Sequence, residues 1–256
     1  MVSAKRLIVN ADDCNLTAGV TRGILRAHDA GILSSTTILM NLPLSERTLQ
    51  ELKRRKKLGL GIHLNVTFGA PVSRAEKVRS LLKFATRFRR PADYLSKLPR
   101  RDEVVREYTA QIRLFEQRFG RAPDHLDTHH HLHDHPLFFE ALSNVARRWK
   151  VPVRRSHIFQ LADGYSKTRG LYTTDYLFGN LEAKFHWQRE PLLGLIENLP
   201  EGTSEIGCHP GYCDAELCQV SSLQETREKE LQLFSDKRIR NLLSEHGIEL
   251  IRFSEV

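Results

Sequence analysis

The stretch KRLIVNADD, Lys5 to Asp13, decides how the rest of the chain is read. Its apolar centre, Leu7-Ile8-Val9, is a compact run of the kind found in buried strands, so a strand is expected over Lys5 to Asn10. Two adjacent carboxylates, Asp12 and Asp13, follow it at once. Beyond them Leu16, Val20 and Ile24 recur at helical spacing, with Asn15 as the expected N-cap and Gly31 as the stop.

Strand followed by helix is the unit that repeats downstream. Ser35 to Met40 (STTILM) reads as a second strand, and Ser45 as the cap of a polar helix running to about Lys57. Leu58 to His63 reads as a third strand. Asp102 to Phe119 places Val105, Tyr108, Ile112, Phe115 and Phe119 on one helical face and ends at Gly120. Shorter extended pieces are expected at His125 to Thr128, Val151 to Arg154 and Ser204 to Cys208. Helices are expected near Pro136 to Trp149, Trp187 to Asn198 and Leu223 to Glu245, with a closing strand at Ile248 to Arg252. Such alternation specifies the α/β class, with mostly parallel strands and right-handed crossovers. Seven or so strands in 256 residues favour a distorted or incomplete (β/α) TIM-like barrel. One domain over residues 1–256 is expected, interrupted by long loops near 68–99 and 156–184.

Composition narrows the function class. Hydrophobic residues at 40% and charged residues at 27% are ordinary for a folded globular chain. No segment has the apolar length of a signal-peptide core or a membrane span, so a cytoplasmic protein with no membrane partner is expected. The four cysteines lack a Cys-x-x-Cys pair and are expected as free thiols. The formal charge of +8 sits in runs such as Lys53 to Lys57, Arg87 to Arg90 and Arg100-Arg101. These read as solvated faces, and with no nucleic-acid-binding signature beside them no nucleic-acid partner is expected.

The unusual polar residues fall at the C-terminal ends of the expected strands: Asp12 and Asp13, His63, His129, Arg154 and His209. In a parallel barrel those ends share one face, where active sites are built. Adjacent carboxylates point in different directions, so one can bind a metal while its neighbour serves as base. The run from Asp127 to His135 holds five histidines in seven positions and, if extended, sends His129, His131, His133 and His135 to one side. One carboxylate and two imidazoles, including His63, make a three-ligand set with open positions, suited to Zn²⁺ or another divalent first-row metal. Arg154 or Arg155 is placed to pair with Asp12. Cys208, alternating with His209, is expected to face away from the site.

Asn10-Ala-Asp-Asp13, Ser34-Ser-Thr-Thr37, Gly61-Ile-His63, His125-Leu-Asp-Thr-His-His-His-Leu-His133 and Cys208-His-Pro-Gly211 together resemble the YdjC family of carbohydrate deacetylases, the ChbG type. The resemblance covers most of the chain. It implies a distorted barrel similar to that of polysaccharide deacetylases, one divalent metal (Mg²⁺ or Zn²⁺) on Asp13, His63 and His129, Asp12 as base with Arg154 keeping it ionised, and His209 as acid. The implied substrate is an acetylated amino sugar or oligosaccharide, with Phe88, Tyr94, Tyr172, Tyr176 and Trp187 as candidates for stacking on sugar rings. A homodimer is compatible with it. Cys14-Asn15 stands where the family commonly has Phe-Gly, and Thr128 where a serine is common. A metal-dependent phosphoesterase and a non-catalytic metal-binding protein are the competing functions.

Overall fold

The computed structural model describes residues 5–156, 170–179 and 186–256. Strand β1, Lys5–Cys14, is buried from Leu7 onward, in keeping with its apolar sequence. It pairs along one side with β8 (Gly202–Cys208), from Lys5 opposite Gly202 to Ala11 opposite Cys208. The other side is shared. Residues Lys5 to Leu7 pair with β9 (Ile248–Leu250), and Asn10 to Cys14 with β2 (Ser35–Ile38). The sheet continues through β3 (Gly59–Leu64) to β6 (Leu126–Thr128), and beyond β8 to β7 (Tyr176–Phe178). All these pairings are parallel. Beyond β6, Val153 bridges to Leu126 and donates its N–H to the carbonyl of Tyr172, in the segment that leads into β7. This is the expected α/β, incomplete-barrel class.

Helices α1 (Ala18–Ala30), α2 (Glu46–Arg54), α4 (Arg101–Phe119) and α5 (Pro136–Trp149) cover the outside of the first four parallel strands, each burying an apolar face. Ser45 caps α2 as expected, and Gly120, at φ +74°, ends α4 in the left-handed conformation that a residue without Cβ adopts freely. The cap of α1 is Thr17, whose side chain accepts from the Val20 N–H, and not Asn15. Asn15 sits at φ +74° and its amide instead donates to the carbonyls of Leu39 and Leu42, tying the end of β1 to the loop after β2.

Further departures from the sequence reading have local causes. The strand expected at Val151 to Arg154 is reduced to the single bridge at Val153. The stretch 68–99 holds a hairpin, β4 (Leu82–Lys83) with β5 (Arg87–Phe88), and a short helix α3 (Pro91–Ser96). It is anchored by the Tyr94 hydroxyl on the Val66 carbonyl and by Glu107, which accepts the N–H groups of Val72 and Ser73. Strand β7 lies inside the other stretch read as loop, 156–184, of which 157–169 and 180–184 fall outside the described residues. After α6 (Arg189–Glu197) and β8 comes a short helix α7 (Leu217–Val220), and the single helix expected from Leu223 to Glu245 is divided into α8 (Glu225–Phe234) and α9 (Lys237–Glu245). Asp236 causes the last break: its carboxylate accepts the Arg238 N–H and starts a new helix. Among the described residues no helix is long and apolar enough to cross a membrane.

Candidate metal centre and active site

The register of β1 shifts between Ala11 and Cys14, so the two aspartates occupy an irregularity at the strand's end. Asp13 has φ +66°, a conformation that re-aims a side chain next to a strand end. The neighbouring carboxylates therefore diverge. Asp12 enters a buried ion cluster and Asp13 faces the histidines.

Arg154 holds Asp12 with two parallel bonds, Nη1 to Oδ2 and Nη2 to Oδ1, both 2.7 Å. Asn10 adds a third, its amide donating to Oδ1 at 2.9 Å. The same guanidinium, fully buried, donates Nε to Glu205 Oε1 at 2.7 Å and lies 3.0 Å from Asp127 Oδ2. Burial opposes ionisation of Asp12, but Arg154, with His63 and His209, outweighs it and holds the carboxyl well below its usual range. Glu205 moves the other way. Burial, with Asp127 and Asp12 nearby, overcomes Arg154 and raises it to about 7.

His63 is oriented from behind by Asp127, whose Oδ1 lies 2.7 Å from Nδ1, and Thr37 donates to the other Asp127 oxygen at 3.1 Å. That leaves His63 Nε2 facing Asp13 Oδ1 at 3.4 Å, with His129 Nδ1 3.1 Å from the same oxygen. Asp13 Oδ1 is buried and makes no hydrogen bond, while Oδ2 accepts from Arg227 at 2.6 Å. Two imidazole nitrogens aimed at one unsatisfied carboxylate oxygen, each within 4.8 Å of the others, fit a divalent cation. A carboxylate behind the imidazole is the usual support of a metal-binding histidine. Asp12, His63 and Asp127 form a second such group, but the Asp12 oxygens are taken by Arg154 and the Asp127 oxygen nearest His63 by that imidazole. The first set is the better site.

The histidine run does not continue as a strand. Residues His129–Asp134 form a 3-10 turn with His130 and His131 at φ +56° and +48°, so the expected alternation is lost. His129 alone of the five joins the ligand set. His133 turns to the Thr128 hydroxyl, 2.7 Å from Nδ1, and His130 to the Thr67 hydroxyl at 2.8 Å. Burial, with His129 beside it, pushes His130 down to about 3. His131 lines the pocket, driven well below the usual imidazole range by burial and by Arg154.

Across the pocket, His209 follows β8 with Nε2 3.9 Å from Asp12 Oδ2, and its side chain is the most exposed of the expected site residues at 21%. Its backbone N–H donates to Glu230. Cys208 faces away, its thiol against the Asn10 carbonyl, and burial raises that thiol well above its ordinary range. Burial likewise pushes the Cys14 thiol up to about 12, which removes it from the chemistry. The cavity has a volume of about 250 Å³, with Leu16, Phe68, Val220 and Leu223 as its apolar walls.

All six expected residues thus converge. The aromatic candidates do not: Phe88 and Tyr94 are buried, Trp187 donates to the Gly207 carbonyl, and neither Tyr172 nor Tyr176 lines the cavity. Three further residues of the site, Asp127, Glu205 and Arg227, lie beyond what the sequence reading assigns. An acid in the buried run Ser204-Glu-Ile206 is a readable signal, whereas Arg227 in the charged helix Glu225–Phe234 carries none.

Residues 6–245 match the model of the YdjC-like protein family. The chain belongs to that family. Among curated relatives, a carbohydrate deacetylase of Geobacillus stearothermophilus is 33% identical over 249 residues, covering 97% of this chain and 96% of its own. A carbohydrate deacetylase of Thermoanaerobacter pseudethanolicus is 34% identical over 253 residues, 98% of each. Among solved structures, an Enterococcus faecalis V583 protein, described as a candidate for cellobiose-phosphate cleavage, superposes with TM-score 0.91 at 30% identity over 99% of both chains. A family 4 acetyl xylan esterase from Clostridium thermocellum, solved with a cobalt ion, reaches TM-score 0.51 at 11% identity over 98% of this chain and 89% of its own, a likeness of fold.

Proposed function

We propose that this member of the YdjC-like family is a metal-dependent hydrolase that removes the N-acetyl group from an amino sugar or oligosaccharide. One observation carries the chemistry: an unsatisfied Asp13 oxygen faced by His63 and His129 lies beside an arginine-clamped Asp12, with His209 opposite. The names of the full-length relatives support the substrate class. Two nitrogens and one oxygen suit Zn²⁺ or another first-row ion better than Mg²⁺, which prefers oxygen donors. A cation held there supplies Lewis acidity toward the acetyl carbonyl and the attacking water.

Asp12 takes the proton of that water. Arg154 keeps the Asp12 carboxylate ionised and fixes its orientation, which holds the proton acceptor in place and lowers its basicity. His209, on the open side of the pocket, delivers a proton to the departing amine. Arg227 fixes Asp13 from the far side, and Asp127 fixes His63.

Phosphate-ester hydrolysis is the weaker reading, because the two arginines of the site are already paired with Asp12 and Asp13. The deciding experiment measures acetate and free amine released by metal-loaded protein from N-acetylglucosamine and chitooligosaccharides, with phosphate esters in parallel. Acetate release that is lost on chelation and restored by metal supports the proposal. Turnover of phosphate esters alone overturns it.

A further inference from the structure

The catalytic cavity does not end at its own walls. A larger groove of about 950 Å³ adjoins it and shares Phe68, His130 and Val220 with it. Its other apolar contributors include Leu42, Phe84 and Phe88, while Lys83, Arg87 and Arg90 supply positive charge. Among the described residues no carboxylate lines it. Arg87 and Arg90 form no ion pair with a carboxylate among the described residues, and Lys83 reaches Asp93 only at 3.6 Å.

The groove's outer lip is the β4–β5 hairpin. Phe84 and Ala85 at its tip have φ of +54° and +62°, a conformation ordinarily left to glycine, asparagine or aspartate. Phe84 is 89% exposed there. A strained turn that holds a phenyl ring in water, between a lysine and an arginine, contributes nothing to the core. The groove's neutral polar side chains among the described residues are Thr67, His130 and Gln219, so the wall is apolar and cationic more than it is furnished for a run of sugar hydroxyls.

We infer that the groove takes an apolar aglycone joined to the amino sugar through phosphate, so that the substrate is a lipid-like glycosyl phosphate. Continuity with the catalytic cavity gives the position, the apolar lining gives the chain, and the unpaired cations give the anion. The inference rests on the deacetylase reading of the adjoining site and deepens it.

The test compares metal-loaded full chain on four substrates: N-acetylglucosamine as its methyl glycoside, its octyl glycoside, its 1-phosphate and its 1-(octyl phosphate). The octyl phosphate should exceed the methyl glycoside in kcat/KM by about tenfold or more, the scale set by burying a few methylene groups. Phe84→Ser and Arg87→Ser, both at exposed positions, should each lower that ratio by about fivefold. A ratio near one, a ratio unmoved in both variants, or a 1-phosphate that matches the octyl phosphate overturns the inference. So does a concentration-dependent dimer that Phe84→Ser dissolves, because the phenyl ring would then be covered by a second copy. Calorimetric binding of decyl phosphate, with inorganic phosphate and decyl maltoside as controls, reads the groove without turnover. If no acetate appears from any substrate while decyl phosphate binds more tightly than both controls, the deacetylase reading fails and the groove stands. Acetate release without such binding has the opposite meaning.

Discussion

Asp12 and Asp13 are adjacent and chemically identical, yet one accepts two bonds from Arg154 and the other faces two imidazoles. Their amide variants should therefore fail differently. Asp12→Asn retains metal and loses about 100-fold or more in kcat. Asp13→Asn loses metal affinity first, and excess metal restores part of its activity. Metal analysis of each variant alongside acetate release separates the two, and reversed behaviour exchanges the roles. Arg154 has a structural part as well, since it offsets Asp12, Asp127 and Glu205 in a space without solvent. Arg154→Leu should cost about 3–5 kcal/mol of stability in denaturant titration, because buried carboxylates would be left uncompensated.

His63 gives a pH signature. Burial lowers its basicity, but Asp127, Asp13 and Asp12 raise it to about 10, above the 6.5 of an unperturbed imidazole. The native metal-free protein thus binds this proton more tightly than the unfolded chain does. Its contribution is complete below pH 6.5 and is lost as pH rises to about 10. Melting temperatures of metal-free protein should fall over that window more than those of His63→Gln. Metal binding, which needs the neutral imidazole, should release a proton measurable by calorimetry in buffers of different ionisation enthalpy. Equal slopes for the two proteins would remove the proton from His63.

At the scale of elements, the strands and helices that carry the site were legible because apolar runs and capping residues are local signals. The polar residues at the ends of β1, β3, β6 and β8 were therefore placed on one face without any knowledge of contacts. What escaped depends on pairs distant in sequence. Asn15 loses its cap to Thr17 because its amide is drawn to carbonyls 24 and 27 residues away. The five histidines look equivalent along an extended chain and become distinct only when His130 and His131 turn left-handed. Arg227 is found only once α8 packs against α1 and the guanidinium reaches Asp13 at the end of β1. The contact between α1 and the Pro210-Gly211 turn offers a test at this scale. A Cβ added to Gly23 would lie 2.5 Å from the Gly211 Cα. Gly23→Ala should cost about 1–3 kcal/mol and displace the turn that holds His209. Thermal scans should show a drop of several degrees, about 2–4 °C per kcal/mol for a chain of this size. An unchanged melting temperature and unchanged kcat would mean that the turn is free to move.

At the scale of the whole molecule, the sheet is wound so that its central strand is bounded by elements from opposite ends of the chain. β1 has β2 on part of one side, while β8 and β9 supply the rest of its described pairings. Synthesis on the ribosome runs in one direction, and 233 residues lie between Cys14, the end of β1, and Ile248, the start of β9. At about 5–20 residues per second, the edge of β1 at Lys5 to Leu7 waits on the order of 10–50 s for β9, and the opposite edge, Lys5 to Ala11, on the order of 10–40 s for β8. An unpaired apolar strand is a template for pairing with other chains. The arrangement that gathers distant residues around one cation therefore makes the nascent protein a client for chaperones that shield strand edges, and places its vulnerability to misassembly before release from the ribosome rather than after it.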